Sequence, residues 1–255
     1  PVVLSRAEVM FLMKISGKER LVGTNYHNEK LLENEEFEAE KSLLEKGIIF
    51  RADTVLSISQ NFQSLFQCVF SPRSALIVVR DLPDLGKQLL IYLYREGNFV
   101  VLHSMPETGV HRFEALEKNG QVREMLLKWF PLSKYSATSA SFVISEQEFE
   151  QLRDSVLSGN YDRALAVLEQ KPGDEIEKKN LVDALSNRVI SGSFAVLSII
   201  NEEAVDAFSL AVFAGNSTAW ALVLNDSEKA GQSIFRIFRI GQNFDDLIKD
   251  LLKKL

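Results

Sequence analysis

A chain of 255 residues, 46% hydrophobic and 25% charged, has the composition of an ordinary globular protein, long enough for one large domain or two small ones. Its formal net charge of −6 disfavours a nucleic-acid partner, and its single cysteine, Cys68, excludes an internal disulfide and a cysteine-based metal site. No apolar run reaches the length of a membrane-spanning helix. The opening Pro1-Val2-Val3-Leu4-Ser5-Arg6 lacks the basic-then-apolar layout of a signal peptide, so a cytoplasmic protein is expected.

Ser5-Arg6-Ala7-Glu8 has the form of a capping box, in which the hydroxyl accepts from the N3 amide while the carboxylate reaches back. Val9, Leu12 and Met13 follow at helical spacing, and Gly17 is a stop signal. Residues 21–30 read as a loop. A second helix is expected over about 35–45, ended by Gly47, and a third is expected after a cap at Ser57, stopping before Pro72. The continuous apolar run 75–79 predicts a strand covered on both faces. Next, 89–94 and 99–102 flank Arg95-Glu96-Gly97-Asn98, which predicts a β-hairpin with Gly97-Asn98 as its turn. A strand near 110–114 and a helix near 122–130 complete this part.

The order then recurs. Ser145-Glu146-Gln147-Glu148 is a second capping box, helices are expected over 161–168 and 176–189, and a strand over 194–197. A second hairpin, 208–212 with 219–224, turns at Ala214-Gly215-Asn216-Ser217. Gly97 to Gly215 and Asn98 to Asn216 are both 118 positions apart. A strand at 233–240 and a helix at 244–255 close the chain. Each part reads helix, helix, helix, strand, hairpin, strand, helix. This predicts an α+β fold of two pseudo-symmetric halves, 1–133 and 142–255 with a linker at 134–141, forming a central antiparallel sheet flanked by helical bundles.

Catalytic signatures are missing. There is no Gly-x-Ser-x-Gly elbow, no dinucleotide fingerprint and no phosphate loop, so no catalytic residue and no cofactor are expected. His27, His103 and His111 lack acidic companions at ligand spacing and read as structural histidines rather than metal ligands. Cys68, beside Leu65 and Val69 on a helical stripe, reads as a buried thiol. One feature of the first hairpin stands out. With Gly97-Asn98 as the turn, Tyr94 faces Val101 and Tyr92 faces His103. Their counterparts at the 118 offset, Leu210, Val212, Ala219 and Ala221, are apolar. Tyr92, Tyr94, Phe99 and His103 are therefore candidates for a partner-binding patch, against the plainer reading of cross-strand packing beneath a helix.

Leu4-Ser5-x-x-Glu8, then Glu-Ala-Glu-Lys-Ser-Leu-Leu-Glu-Lys-Gly-Ile-Ile at 38–49, then a helix ending in Phe70-Ser71-Pro72 before a strand, resembles the EspG family of type VII (ESX) secretion-associated cytosolic chaperones. That resemblance implies two pseudo-symmetric halves around an antiparallel sheet, no enzymatic activity, and a helical secretion substrate as partner. A rival reading is a winged-helix regulator whose recognition helix would be 57–70. That stretch contains no Lys or Arg with which to meet phosphates. A third is an uncharacterised ligand-binding protein or enzyme, which a deep pocket with convergent polar groups would favour.

Overall fold

The structure, a computed structural model, describes residues 1–24, 26, 30–82, 85–116, 119–227 and 232–255; His27 lies outside the described residues. The first half runs β1 (Val2–Ser5), α1 (Arg6–Ile15), α2 (Glu33–Glu45), β2 (Ile49–Ala52), β3 (Val55–Ile58), α3 (Gln60–Phe70), β4 (Ser74–Leu82), β5 (Lys87–Glu96), β6 (Phe99–Glu107), β7 (Val110–Leu116) and α4 (Asn119–Trp129). A 3-10 turn at Leu132–Lys134 leads to the second half. That half runs β8 (Ser141–Ser145), α5 (Glu146–Leu157), α6 (Tyr161–Glu169), α7 (Glu175–Ser186), β9 (Ile190–Ile200), β10 (Glu203–Ala214), β11 (Ala219–Ser227), β12 (Gln232–Ile240) and α8 (Phe244–Lys254).

Both capping boxes form. Ser5 N–H donates to Glu8 Oε2 at 2.7 Å and Glu8 N–H to Ser5 Oγ at 3.2 Å; the same pair of bonds joins Ser145 and Glu148 at 2.7 and 3.3 Å. Each box sits where an edge strand, β1 or β8, turns directly into a helix. Ser57 does not cap a helix. It lies in β3, which pairs with β2 in a separate hairpin, and α3 starts at Gln60.

Ten strands form one antiparallel sheet in the order β1-β7-β6-β5-β4-β9-β10-β11-β12-β8. The halves meet where β4 pairs with β9, Ser74 opposite Ser198 through Arg80 opposite Gly192. A Cβ on Gly192 would lie 2.3 Å from Val79 O and 2.7 Å from the Phe130 ring, so this seam closes only over a glycine. On one face, α4 and α8 cover strands of both halves with Leu126, Phe130, Phe244, Ile248 and Leu251. Arg123 clamps the two helices through two bonds to the Asp245 carboxylate, each 2.6 Å. On the other face, α1 to α3 cover the outer strands of the first half, and α5 to α7 cover those of the second.

The second hairpin departs from the expected register. Its strands are joined by four residues, 215–218, where the first has two, so Val212 faces Ala221 and Leu210 faces Val223. The 118 offset also assigns the wrong face in β10. Tyr94 lies opposite Ala75 and Tyr92 opposite Ile77, while Ala211 lies opposite Ser193 and Ser209 opposite Ala195. The structural counterparts of Tyr92 and Tyr94 are therefore Ser209 and Ala211. A slip of one residue moves a side chain to the other side of a sheet, and Leu210 and Val212 accordingly face α4 and α8.

Candidate functional site

The first-half patch lies inside the protein. Tyr92, Tyr94 and His103 are 2%, 0% and 0% exposed, and Phe99 is half-buried against the same cluster. These residues do not form a docking surface. The stretch 21–24, with Tyr26, lies over them and takes their polar atoms. Tyr94 Oη donates to Val22 O at 2.8 Å, and Tyr92 Oη donates to Gly23 O. His103 and His111 do meet across the hairpin, with Nε2 of His103 2.8 Å from Nδ1 of His111. His111 Nε2 is 2.6 Å from Tyr26 Oη, and His103 Nδ1 is 3.1 Å from Tyr94 Oη. The rings of His103, His111 and Phe113 stack with centroids 4.6 to 6.2 Å apart.

Gly23 is required twice in this cover. Its φ is +82°, and a Cβ there would lie 2.1 Å from a Tyr92 ring carbon. Gly23→Ala is expected to cost about 2–3 kcal/mol, a fall in Tm of roughly 5–10 °C in a chain of this size. Thermal unfolding checks it, and an unchanged Tm would show that the cover is not packed as described.

A second site lies elsewhere on the sheet. Between the α1–α3 and α5–α7 bundles, part of the sheet face on β4, β9 and β10 lines a groove. Val79 of β4, Ser193 of β9 and Ala211 of β10 floor it, and Ile77, Ala195 and Ser209 continue the same face of these strands. Ser209 is exposed and the others are half-buried. Phe149, Val156 and Leu157 of α5 and Leu185 at the end of α7 form one wall of a groove of about 330 Å³, with Arg153 and Arg188 at its rim. Leu157 is 66% exposed. Asp81, also in the groove, is already engaged, accepting from Ser191 Oγ and from Gln88 Nε2 at 2.8 Å. Where the first half carries Tyr92 and Tyr94 under a cover, the second carries an exposed Ser209 and a half-buried Ala211.

Cys68 is buried, its Sγ 3.3 Å from Tyr94 O, and burial pushes its thiol up to about 12, far from a reactive thiolate. No group of three or more His, Cys, Asp or Glu able to hold a metal occurs among the described residues. Helix α3, the recognition helix of the rival reading, turns Leu65, Phe66, Cys68, Val69 and Phe70 into the core.

A ten-stranded antiparallel sheet carries one helical bundle over each half of one face, with a groove beside the second bundle. The fold is similar to that of the Mycobacterium tuberculosis type VII secretion system chaperone EspG5, solved in complex with a PE25-PPE41 dimer. The match has a TM-score of 0.69 at 10% identity and covers 100% of this chain and 96% of that one. The chain belongs to the family of the uncharacterised protein YfjC, whose model matches residues 28–226. No curated protein matches it. No helix among the described residues is long and apolar enough to cross a membrane.

Proposed function

We propose that this protein is a non-enzymatic binding module that holds a helical protein partner in the groove between its two bundles, as a cytosolic secretion chaperone holds an export substrate. The observation that carries the reading is the strip of small residues on the central strands. Ser193 and Ala211 line the groove, Ala195 and Ser209 continue the same face, and an apolar wall from α5 stands beside them. A helix presenting an apolar face can lie in such a groove, its side chains meeting the floor at i, i+3 and i+4 spacing. Arg153 and Arg188 at the rim favour a partner with carboxylates flanking that face. The likeness to EspG5, which was solved with a protein dimer bound, supports a protein partner, and the partner class it suggests is a substrate of a secretion system.

The test is to fill the groove. Ala211→Trp places an indole on its floor, and Ser209→Trp places one at an exposed position on the continuation of the same face, away from the helix-covered core. The parent protein, tagged and recovered from its native cytosol, is expected to retain a small helical protein encoded beside secretion genes. Either variant should retain it at least tenfold less, with unchanged circular dichroism. Equal retention by parent and variants would remove the groove as the site. Retention of nucleic acid instead would remove the reading altogether.

A further inference from the structure

The Tyr26–His111–His103–Tyr94 chain is more ordered than packing requires. Its direction is set from one end. Tyr94 has a single hydroxyl proton and gives it to Val22 O, so it must accept from His103 Nδ1–H. His103 Nε2 is then an acceptor and takes His111 Nδ1–H, which leaves His111 Nε2 to accept from Tyr26 Oη–H. Both imidazoles are thus neutral, both carry their proton on Nδ1, and every polar atom along the line is used. The chain begins at Tyr26 and ends at Val22, so both of its ends lie in the segment that covers the sheet.

We propose that this chain is a proton-operated latch, in which a proton taken up at His111 Nε2 releases residues 21–24 and Tyr26 from the sheet and opens the cleft that Tyr26 borders beside α1 and α2. That cleft, about 550 Å³, is floored by Met10, Met13 and Leu31 and rimmed by Lys14 and Lys18. Two ring nitrogens carry a lone pair, His103 Nε2 and His111 Nε2; the first lies between the two buried rings, and the second, bonded to Tyr26 at the end of the line, is the one an incoming proton reaches. Protonation there reverses the Tyr26 bond and places a charge among stacked rings that burial keeps from water. The His111 ring stacks on His103 of β6 and on Phe113 of its own strand, and His103 in turn meets Tyr92 and Tyr94 of β5. On α3 the nearest titratable group is Cys68, bonded at Tyr94 O. On β1 its partner is Leu4. On α1, Arg6 lies 5.6 Å from the Tyr26 ring centroid and the carboxylate of Glu8 is held by Lys46 at 2.6 Å, while Glu19, and Glu36 of α2, line the cleft that Tyr26 borders. Lifting the covering segment brings water to the imidazolium; the sheet beneath does not have to move. The same reasoning makes His111 the first of the pair to titrate, and burial does hold it at about 4 and His103 lower still, at about 3.

Hydrogen–deuterium exchange of the full chain between pH 7 and pH 4.5, corrected for the intrinsic rate, tests the latch. With His111 ordinary when the segment is open and held near 4 when it is closed, opening of residues 21–24 is expected to rise roughly fifty-fold over that range. The pairing strands β4 and β9 should keep their protection. Tyr26→Phe, which removes the donor at the entrance, should show raised exchange of the segment already at pH 7. His111→Phe, which cannot take the proton, should lose most of the pH step. Equal protection of the segment at both pH values, exposure only together with β4 and β9, or a full pH step surviving in His111→Phe would each overturn the proposal.

Discussion

Glu177→Ala is expected to destabilise the protein by about 3–5 kcal/mol, a large fraction of what a domain of this size has in hand. The reason lies in Arg239 on β12, which is 6% exposed. Its Nη1 donates to Glu177 Oε2 at 2.6 Å and its Nη2 to Ser136 O at 3.2 Å, and its guanidinium lies 5.2 Å from the Trp220 ring centroid. Its Nε finds no acceptor among the described residues, so the guanidinium has no spare partner. Removing the carboxylate strands a buried cation at the point where α7, β12 and the connector between the halves converge. Exposed pairs such as Lys14–Glu36, 61% and 36% exposed, should by contrast contribute about 0–1 kcal/mol. Urea unfolding measures both. Replacing the pair together, Arg239→Met with Glu177→Leu, should recover most of the loss, since no charge then stays buried. A Glu177→Ala variant within about 0.5 kcal/mol of the parent would mean that Arg239 finds water or another acceptor, and the clamp would lose its importance.

What could be read from the residues alone divides along the range of the interactions involved. The two capping boxes were legible because everything that forms them lies within four residues, and Ser5 and Ser145 cap as expected. The first hairpin was legible for the same reason: Gly97-Asn98 sets its register, and Tyr92 opposite His103 follows from it. The second was misread because its turn has two more residues, and because its glycine and asparagine invited a 118 offset where β10 follows 117. In a sheet that single position decides whether a side chain meets a helix bundle or open space. The patch at Tyr92, Tyr94 and His103 was visible as a polar aromatic cluster, yet its burial was not. The cover at 21–24 and Tyr26 has no periodicity, and the long-range bonds to Val22 and Gly23 make it part of the core. The groove had no signature at all. Ser193, Ser209 and Ala211 are unremarkable strand residues until the helices beside them are placed.

Acid should weaken the whole molecule at a pH well above the range in which carboxylates titrate. His103 and His111 are both fully enclosed, and burial holds them at about 3 and about 4 against an ordinary 6.5. Both are neutral in the folded protein, whereas the unfolded chain takes up two protons as the pH falls through 6.5. Between that value and about 4 the unfolded state binds more protons, so stability is full above neutral pH and declines as acid is added, by up to about 2.7 kcal/mol per pH unit for the two rings. By pH 4.5 the loss is on the order of 5 kcal/mol, and it levels off as the folded rings themselves begin to titrate near 4 and 3. The lowered carboxyls of Glu8, held by Lys46, and Glu148, held by Lys171, act in the same direction but further down the scale. Urea unfolding at intervals from pH 7.5 to 4.5 should therefore show a falling midpoint. The double variant His103→Phe/His111→Phe keeps the aromatic stack on Phe113 and leaves Tyr94 its bond to Val22, so it should fold. Its midpoint should be nearly flat over that window. A parent whose midpoint does not move, or a double variant that declines as steeply as the parent, would show that the two imidazoles are not held neutral by burial, and the direction assigned to the tyrosine–histidine chain would fail with it.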